Sequence, residues 1–570
     1  MTTQAPSPVR GRKDSGWRSA LGAARNAIAR SSIDARLAAA AVVASLGVTV
    51  WWLTQDTRVA DFYSASQAHF AFIVRDEVAR GDIFRPLTEW DNYPPLGRII
   101  GAIGVFLGGH GIHAVQLALD LIFIPALALG CYGVGRLVAG TRAGLLAALF
   151  ALGAPMIVSE SHEVYLDPLQ AALVALSVLA ILASRRFERT RMAALAGLLS
   201  ALAMLAKETT PIFLAGVILV ALARGGWRNL RGVAAYAGAL VVLGAPWYLG
   251  HLGKLNSLVG TTANPPPKLA AAVHAATPSH ASFENVSWYF WDAANPQLRA
   301  PLLALLIVGT IAAIRSAIVD RRPENLHAEL LGGALVSYVG ISLITIKDPR
   351  YSLPALVYMA VLATSWIPAL RPSLRAVLTA VLVAAVAVSF ISVDFGVGGR
   401  GYAARVALSG ANPEKPPGQR FFTAYATTGW LRGPPQSDDG DVLALMHGLR
   451  RAGVGAVTSC CGLERPEAGI DGGAEREDFN TIGLLVMAHE AGLQYAQQQT
   501  ELRPTDVFLA LHAPIPGAPP CQRLHDGTGI YAILGNPIGK PFSRYTFICP
   551  GRTPAVYGYA PQSVALPRAS

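Results

Sequence analysis

Residues 167–223 read DPLQAALVALSVLAILASRRFERTRMAALAGLLSALAMLAKETTPIFLAGVILVALA, and the reading of this stretch decides the fold. Three apolar runs, 168–184, 192–206 and 210–223, approach the length a helix needs to cross a bilayer. The first turn between them carries Arg185, Arg186, Arg189 and Arg191, and the second carries Lys207-Glu208-Thr209-Thr210. Cytoplasmic turns collect Arg and Lys. The first turn is therefore expected in the cytoplasm and the second outside.

Working outward, apolar runs recur at 37–53, 114–135, 142–158, 232–250, 299–318, 328–345, 351–369 and 374–393. The pairs Arg136/Arg142, Arg224/Arg228 with Arg231, Arg315/Arg322 with Arg321, and Arg371/Arg375 extend the cytoplasmic set. The alternate segments, 159–167, 207–210, 251–298 and 347–350, are rich in His, Asp, Glu, Tyr and Trp and fall outside. The run 95–108 breaks this alternation if it spans, and at about 14 residues it is short for a span. It reads as an interfacial or re-entrant helix. The expected fold is a polytopic α-helical membrane protein of about eleven spans, with twelve as the alternative.

Composition agrees. Of 570 residues 52% are hydrophobic and only 15% charged, against roughly 25% charged in an ordinary soluble domain. A chain of soluble domains is excluded. The net charge of +11 does not point to nucleic acid, because the cations flank apolar runs and form no basic stripe interleaved with aromatics. Arg10, Arg12, Lys13, Arg18, Arg25, Arg30 and Arg36 precede the first run and mark 1–36 as a cytoplasmic tail. That run continues into Trp51-Trp52-Leu53-Thr54-Gln55 with no small-residue cleavage pattern, so it reads as a retained signal anchor. Five cysteines are too few for a disulfide scaffold. Cys521 with Cys549 is the expected pair if the C-terminal region is exported.

The ionisable groups gather on the outer side. The first outer loop, 54–113, holds Asp56, Asp61, His69, Asp76, Glu77, Asp82, Glu89 and Asp91, and closes in Asp91-Asn92-Tyr93-Pro94-Pro95-Leu96. The other outer turns give His162-Glu163-Val164-Tyr165-Leu166-Asp167-Pro168, Lys207-Glu208-Thr209-Thr210-Pro211 and Lys347-Asp348-Pro349-Arg350-Tyr351-Ser352-Leu353-Pro354. Each ionised group near hydrocarbon costs several kcal/mol, so such groups are few and purposeful. Carboxylates and fixed cations at one membrane depth suit a lipid-phosphate substrate attacked by a hydroxyl, the carboxylate as base and Lys or Arg on the phosphate. The plain structural reading is that the cations anchor helices at the interface.

In order and sidedness these motifs resemble the GT-C glycosyltransferase superfamily. The residues that carry the likeness are the long outer loop closing in Tyr93-Pro94-Pro95-Leu96, the turn Leu166-Asp167-Pro168-Leu169, Leu205-Ala206-Lys207-Glu208-Thr209, and Arg350-Tyr351-Ser352-Leu353-Pro354. The closest likeness is to bacterial protein O-mannosyltransferase and aminoarabinose-transferase relatives, over roughly 37–394. The resemblance implies transfer of a sugar, with inversion, from a polyprenyl-phosphate donor to a hydroxyl of a protein, lipid or glycan on the outer face. Relatives carry an Asp-Glu pair about fifteen residues before a Gly-Asp step, where this chain has Ser66-Gln67 before Gly81-Asp82. Asp61 is then the first candidate for the base and Asp56 the second. Asp167 is either a site carboxylate or a helix N-cap or first-turn acid before Pro168. Lys207, Lys347 and Arg350 are candidates for the phosphate, or else pair with Glu208 and Asp348. Tyr351 is a candidate hydrogen-bond donor to it, Tyr93 stands where some relatives have Lys, and His69, His162 and Glu163 complete the expected substrate contacts. His with carboxylates but no further His spacing is a poor metal pattern, and neither a metal nor a cofactor is expected.

The outer loop 251–298 contains Asn264-Pro265-Pro266-Pro267-Lys268 and Ser287-Trp288-Tyr289-Phe290-Trp291-Asp292. The second stretch reads as an interfacial aromatic belt, with a sugar-stacking platform as the alternative. Residues 395–570 read as a soluble α/β or α+β domain outside the membrane, with helices at 441–452 and 480–491 and strands at 454–459, 506–511 and 529–534. The Ala-, Gly- and Arg-rich composition fits a bacterial plasma membrane. The alternatives in function are a multi-span transporter or lipid flippase, since ionisable groups among spans also describe a substrate path, and an assembly protein whose catalytic site has decayed.

Overall fold

The computed structural model describes residues 32–58, 60–85, 93–109, 111–252, 282–320, 322, 324–344, 347–397, 405–407, 421–423, 431–436, 442–459, 481–495, 507–512, 521–523, 529–534, 544–547 and 555–558. The N-terminal basic tail before residue 32, the motif Asn264 to Lys268, and Cys549 lie outside the described residues.

The first helix, α1 (Ile33–Gln55), opens on Ser32, whose hydroxyl accepts from the Ala35 amide. It leads to α2 (Phe62–Ala79) and α3 (Leu96–Gly108), then α4 (Ile112–Ala139) and α5 (Thr141–Leu152). The run expected to continue to 158 breaks at Gly153-Ala154, because Pro155 starts a separate short helix, α6 (Pro155–Glu160). Next come α7 (Asp167–Ala183), α8 (Thr190–Ala206), α9 (Thr210–Ala223) and α10 (Leu230–Gly250). After the gap, α11 (Phe283–Asp292) leads through a π-turn to α12 (Arg299–Val319) and α13 (His327–Ser342). The run expected at 351–369 starts instead as a 3-10 turn, Pro349–Ala355, with Pro354 inside it, before α14 (Leu356–Thr364). Helix α15 (Pro372–Asp394) is the last of this set.

Among the described residues six helical segments are long and apolar enough to cross a membrane: α1, α4, α10, α12, 349–369 and α15. Helices α5, α7, α8 and α9 are apolar but shorter. They pack by close backbone approach, as small residues permit without water to drive association. A Cβ on Gly216 of α9 would stand 2.1 Å from the Gly332 carbonyl oxygen of α13, and one on Gly197 of α8 equally close to that of Tyr236 on α10.

The two families of turns separate to opposite ends of the bundle. At one end Glu329 accepts from Arg186 (3.0 Å) and Arg224 (2.6 Å), and Arg224 also donates to the Asn325 carbonyl. Three of the basic turns therefore meet around one carboxylate. The other end gathers Asp61, Tyr165, Lys207 and Arg350, described below.

The aromatic stretch of α11 is not a lipid-facing belt. Trp288, Tyr289 and Trp291 are buried in the main core, because α11 lies against α13 and the 349–355 turn.

Beyond α15, the helices α16 (Val442–Arg451) and α17 (Thr481–Glu490) and the strands Ala456–Ser459, Val507–His512 and Gly529–Leu534 fall where the sequence places them. In a mixed sheet the first of these strands runs parallel to the second, which runs antiparallel to the third. Val442, Leu445, Met446 and Leu449 of α16 share a small core with Met487, Val457 and Val507. Cys521 is disulfide-bonded.

Candidate active site

Asp61 caps α2. Its Oδ1 accepts from the amides of Tyr63 (2.8 Å) and Ser64 (3.1 Å), the usual service of Asp at a helix start. The same oxygen accepts from the Tyr165 hydroxyl at 3.0 Å, while Oδ2 is buried without a hydrogen-bond partner among the described residues. The Arg350 guanidinium lies 4.1 Å from the centre of the Tyr165 ring and 5.2 Å from that of Tyr63. Asp348 holds Arg350 from the other side, with Nε 2.9 Å from Oδ1 and a second bond beside it. Burial works against the Asp348 carboxylate, but the charge and hydrogen bonds of Arg350 prevail and bring its pKa below the ordinary value.

Lys207 and Asp167 form a buried pair, Nζ to Oδ1 2.6 Å. Asp167 is the first residue of α7 and the acid of its first turn, although it makes no side-chain cap bond. Nor is Glu208 the partner of Lys207. The Lys207 ammonium sits over the rings of Tyr351 (4.7 Å) and Tyr93 (5.6 Å). Burial disfavours its charge, yet Asp167 and the two tyrosines raise its pKa above the ordinary value. Burial pushes Tyr93 up to about 12. Gln170 fixes the turn by donating to the Thr209 and Thr210 hydroxyls.

One pocket opens between these groups, lined by Tyr63, Gln67, Tyr93, Tyr165, Leu166, Asp167, Lys207, Arg350 and Tyr351. It collects five of the residues singled out in the sequence: Tyr93, Asp167, Lys207, Arg350 and Tyr351. Asp61 stands behind the wall and reaches it through the Tyr165 hydroxyl. Gln67 lines the pocket where relatives are expected to carry an acid.

Sequence reasoning passed over Tyr165 and Glu160. A Tyr between Val164 and Leu166 looks like core until its hydroxyl is seen on Asp61. Glu160 is buried with Oε2 unpartnered, near Arg350, Glu163, Asp167 and Asp348, and burial raises its pKa. Glu163 rises to about 7, through burial first and then Asp61, against the pull of Arg432 and Arg350; Arg432 Nη1 is 3.4 Å from its Oε1.

Four other expected residues lie away from the pocket lining. Asp56 accepts from Arg58 (2.6 Å) and from the Gln436 amide (2.9 Å), and Arg432 approaches at 3.5 Å. Together with Trp52, which donates to the Gly433 carbonyl, and Ser159, which accepts from the Arg432 amide, it fastens segment 431–436 to the bundle. His162 stacks on Trp52 at 4.0 Å with its Nε2 2.9 Å from Asp394, tying α1 to α15. His69 faces α17 beside His489, and burial first, then that neighbour, lowers its pKa to about 4. Lys347 donates to the Ser342 carbonyl at 2.8 Å, closing the end of α13, and lies over Tyr289 at 5.3 Å; burial lowers it to about 8. Among the described residues no group of three or more His, Cys, Asp or Glu is arranged to hold a metal ion.

Comparison with known proteins places these turns in a family context. No curated protein sequence matches the chain. Among solved structures, ArnT from Cupriavidus metallidurans in the apo state is similar at 20% identity and a TM-score of 0.44, over 60% of this chain and 61% of that one. The same protein bound to undecaprenyl phosphate gives 20% and 0.43, over 59% and 60%. The oligosaccharyltransferase of Archaeoglobus fulgidus gives 14% and 0.40, over 64% and 54%. The chain thus spans less than two thirds of the length of each. Residues 92–246 match the family model described as dolichyl-phosphate-mannose-protein mannosyltransferase. That match covers Tyr93, Tyr165, Asp167 and Lys207 of the pocket, and over it the chain is similar to that family.

Proposed function

We propose that this protein is an integral-membrane glycosyltransferase that moves a sugar from a polyprenyl-phosphate donor to a hydroxyl acceptor on the outer face of the membrane, with inversion. The observation that carries the reading is the pocket itself. Turns far apart in sequence bring two cations, their carboxylates and four tyrosines to one place at the end of a helical bundle, and the family match covers the turns around Tyr93, Asp167 and Lys207.

The chemistry follows from the arrangement. The acceptor oxygen attacks the anomeric carbon, and the bond from that carbon to the phosphate oxygen breaks, its electron pair leaving with the polyprenyl phosphate. A single displacement of this kind inverts the centre. The acceptor proton passes to the Tyr165 oxygen as the Tyr165 proton moves to Asp61, a relay already joined at 3.0 Å. Arg350, stacked on Tyr165, steadies the negative charge that builds on that oxygen. Lys207, with Tyr351 and Tyr93 about it, meets the phosphate. Preorganised cations of this kind act where charge develops. Asp167 keeps Lys207 charged and aimed, and Asp56, His69, His162 and Lys347 serve the frame around the site.

The test is release or transfer of sugar by purified protein from a panel of synthetic polyprenyl-phosphate sugars. The reading expects at least one donor to be bound and consumed, with Arg350→Ala weakened. Folded wild-type protein that neither binds nor consumes any donor, but moves lipid across vesicles, would replace it with the flippase reading.

A further inference from the structure

The link from α11 to α12 runs Asp292-Ala293-Ala294-Asn295-Pro296-Gln297-Leu298-Arg299. Pro296 has no amide hydrogen to give a regular helix, and the chain takes a π-turn over Ala293–Gln297, a form that is rare and often functional. Asp292 and Gln297 are both fully buried. They face the 3-10 turn Pro349–Ala355, which brings Arg350 and Tyr351 to the pocket.

Among the described residues the polar contact between the two turns runs through one hydroxyl. Ser352 Oγ stands 2.8 Å from Asp292 Oδ2, 2.6 Å from Gln297 Oε1 and 2.8 Å from the Pro349 carbonyl oxygen. A serine hydroxyl has one proton to give and two lone pairs to receive with, so it cannot donate to all three. Two of the neighbours must bring protons. Among the described residues Gln297 Nε2 has no partner, and turning the amide over presents that nitrogen to Ser352. Ser352 then donates to the Pro349 carbonyl. The remaining oxygen, Asp292 Oδ2, fits at 2.8 Å only as a donor. Among the described residues its other oxygen has no hydrogen-bond partner, and no cation lies within ion-pair distance. Burial, with the Asp348 carboxylate adding to it, pushes the Asp292 pKa upward, against the smaller effect of the Ser352 bond.

We propose that Asp292 is a neutral carboxylic acid that donates to Ser352 Oγ and acts as a positioning residue, fixing the turn that carries Arg350 and Tyr351 at the pocket. The consequence for sugar transfer rests on the function proposed above; the protonation and the fixing of the turn do not. Asn in place of Asp292 keeps a donor toward Ser352, whereas Ala removes it and leaves Ser352 and Gln297 short of a partner.

Infrared difference spectra and amide hydrogen exchange on the full-length protein in detergent test this without any substrate. Wild type minus Asp292→Asn is expected to show, at neutral pH, the carbonyl band of a neutral carboxylic acid. Exchange in 349–355 is expected to rise in Asp292→Ala and to stay at the wild-type level in Asp292→Asn. In a transfer assay Asp292→Ala should lose roughly 100-fold in kcat/KM, the scale of a reacting group held about 1 Å out of place, with Asp292→Asn rescuing most of it. A carboxylate band in place of the acid band, or Asn exchanging as fast as Ala, overturns the proposal, and so does Ala exchanging as slowly as wild type. If wild type transfers no sugar while the spectra and exchange come out as expected, the transferase reading fails and the role of Asp292 stands.

Discussion

At the residue scale, the pocket is built from charges that already have partners. Lys207 and Asp167 are both buried and 2.6 Å apart, and removing one member of such a pair strands the other, at a cost of about 3–5 kcal/mol. Lys207→Met and Asp167→Asn should therefore each lower stability by that order, and the double variant should recover part of it. Thermal or denaturant unfolding of the four proteins measures the coupling; additive losses would show that the pair does not interact. Types of residue were legible here and partners were not. The sequence offered Glu208, adjacent to Lys207, and the fold supplied Asp167 from forty residues earlier. Tyr165 escaped for the same reason, because only the packing of α2 against the 159–167 turn puts its hydroxyl on Asp61.

At the scale of elements, α2 is held between the bundle and α17. His69 and Phe72 of α2 face His489 of α17, with Phe72 and His489 stacked at 5.0 Å. The His69 pKa lies near 4 against an ordinary 6.5, so the folded state resists a proton that the unfolded chain accepts. The stability this contributes is complete above about pH 6.5 and is lost as pH falls toward about 4. Acidification over that window should loosen α2 from α17, and His69→Gln should remove part of the dependence. Melting curves at pH 7 and pH 5 check it: wild type should lose more than the variant, and equal losses would place the acid sensitivity elsewhere. Helix positions were legible from apolar runs and boundary residues. Breaks were less so, since Pro155 and Pro354 interrupt runs whose mean hydropathy is continuous. The aromatic stretch of α11 was misread because amphiphilic rings look alike whether they meet headgroups or a neighbouring helix.

At the scale of the whole molecule, the division of the turns into a basic set and a mixed set was the most legible property. Arg186 and Arg224 meet at Glu329 at one end, while Asp61, Lys207 and Arg350 gather at the other, as the alternation of basic and mixed turns requires. We infer that the Glu329 end is cytoplasmic. A membrane-impermeant thiol reagent should label Glu284→Cys from outside intact cells and Arg191→Cys only after the membrane is opened; the reverse pattern would invert the orientation. The C-terminal elements were legible too, but their fastening through Asp56 and 431–436 was not, because no local pattern announces a contact between residues some 380 positions apart.

The most direct test of the account is a double-mutant cycle on sugar transfer with Asp61→Asn and Tyr165→Phe, with donor binding measured alongside. If the two residues form one proton relay, each single variant should lose about 10²–10⁴-fold in turnover while still binding donor, and the double variant should be no slower than the worse single one. Full turnover in folded Tyr165→Phe, or losses that multiply in the double variant, would contradict it.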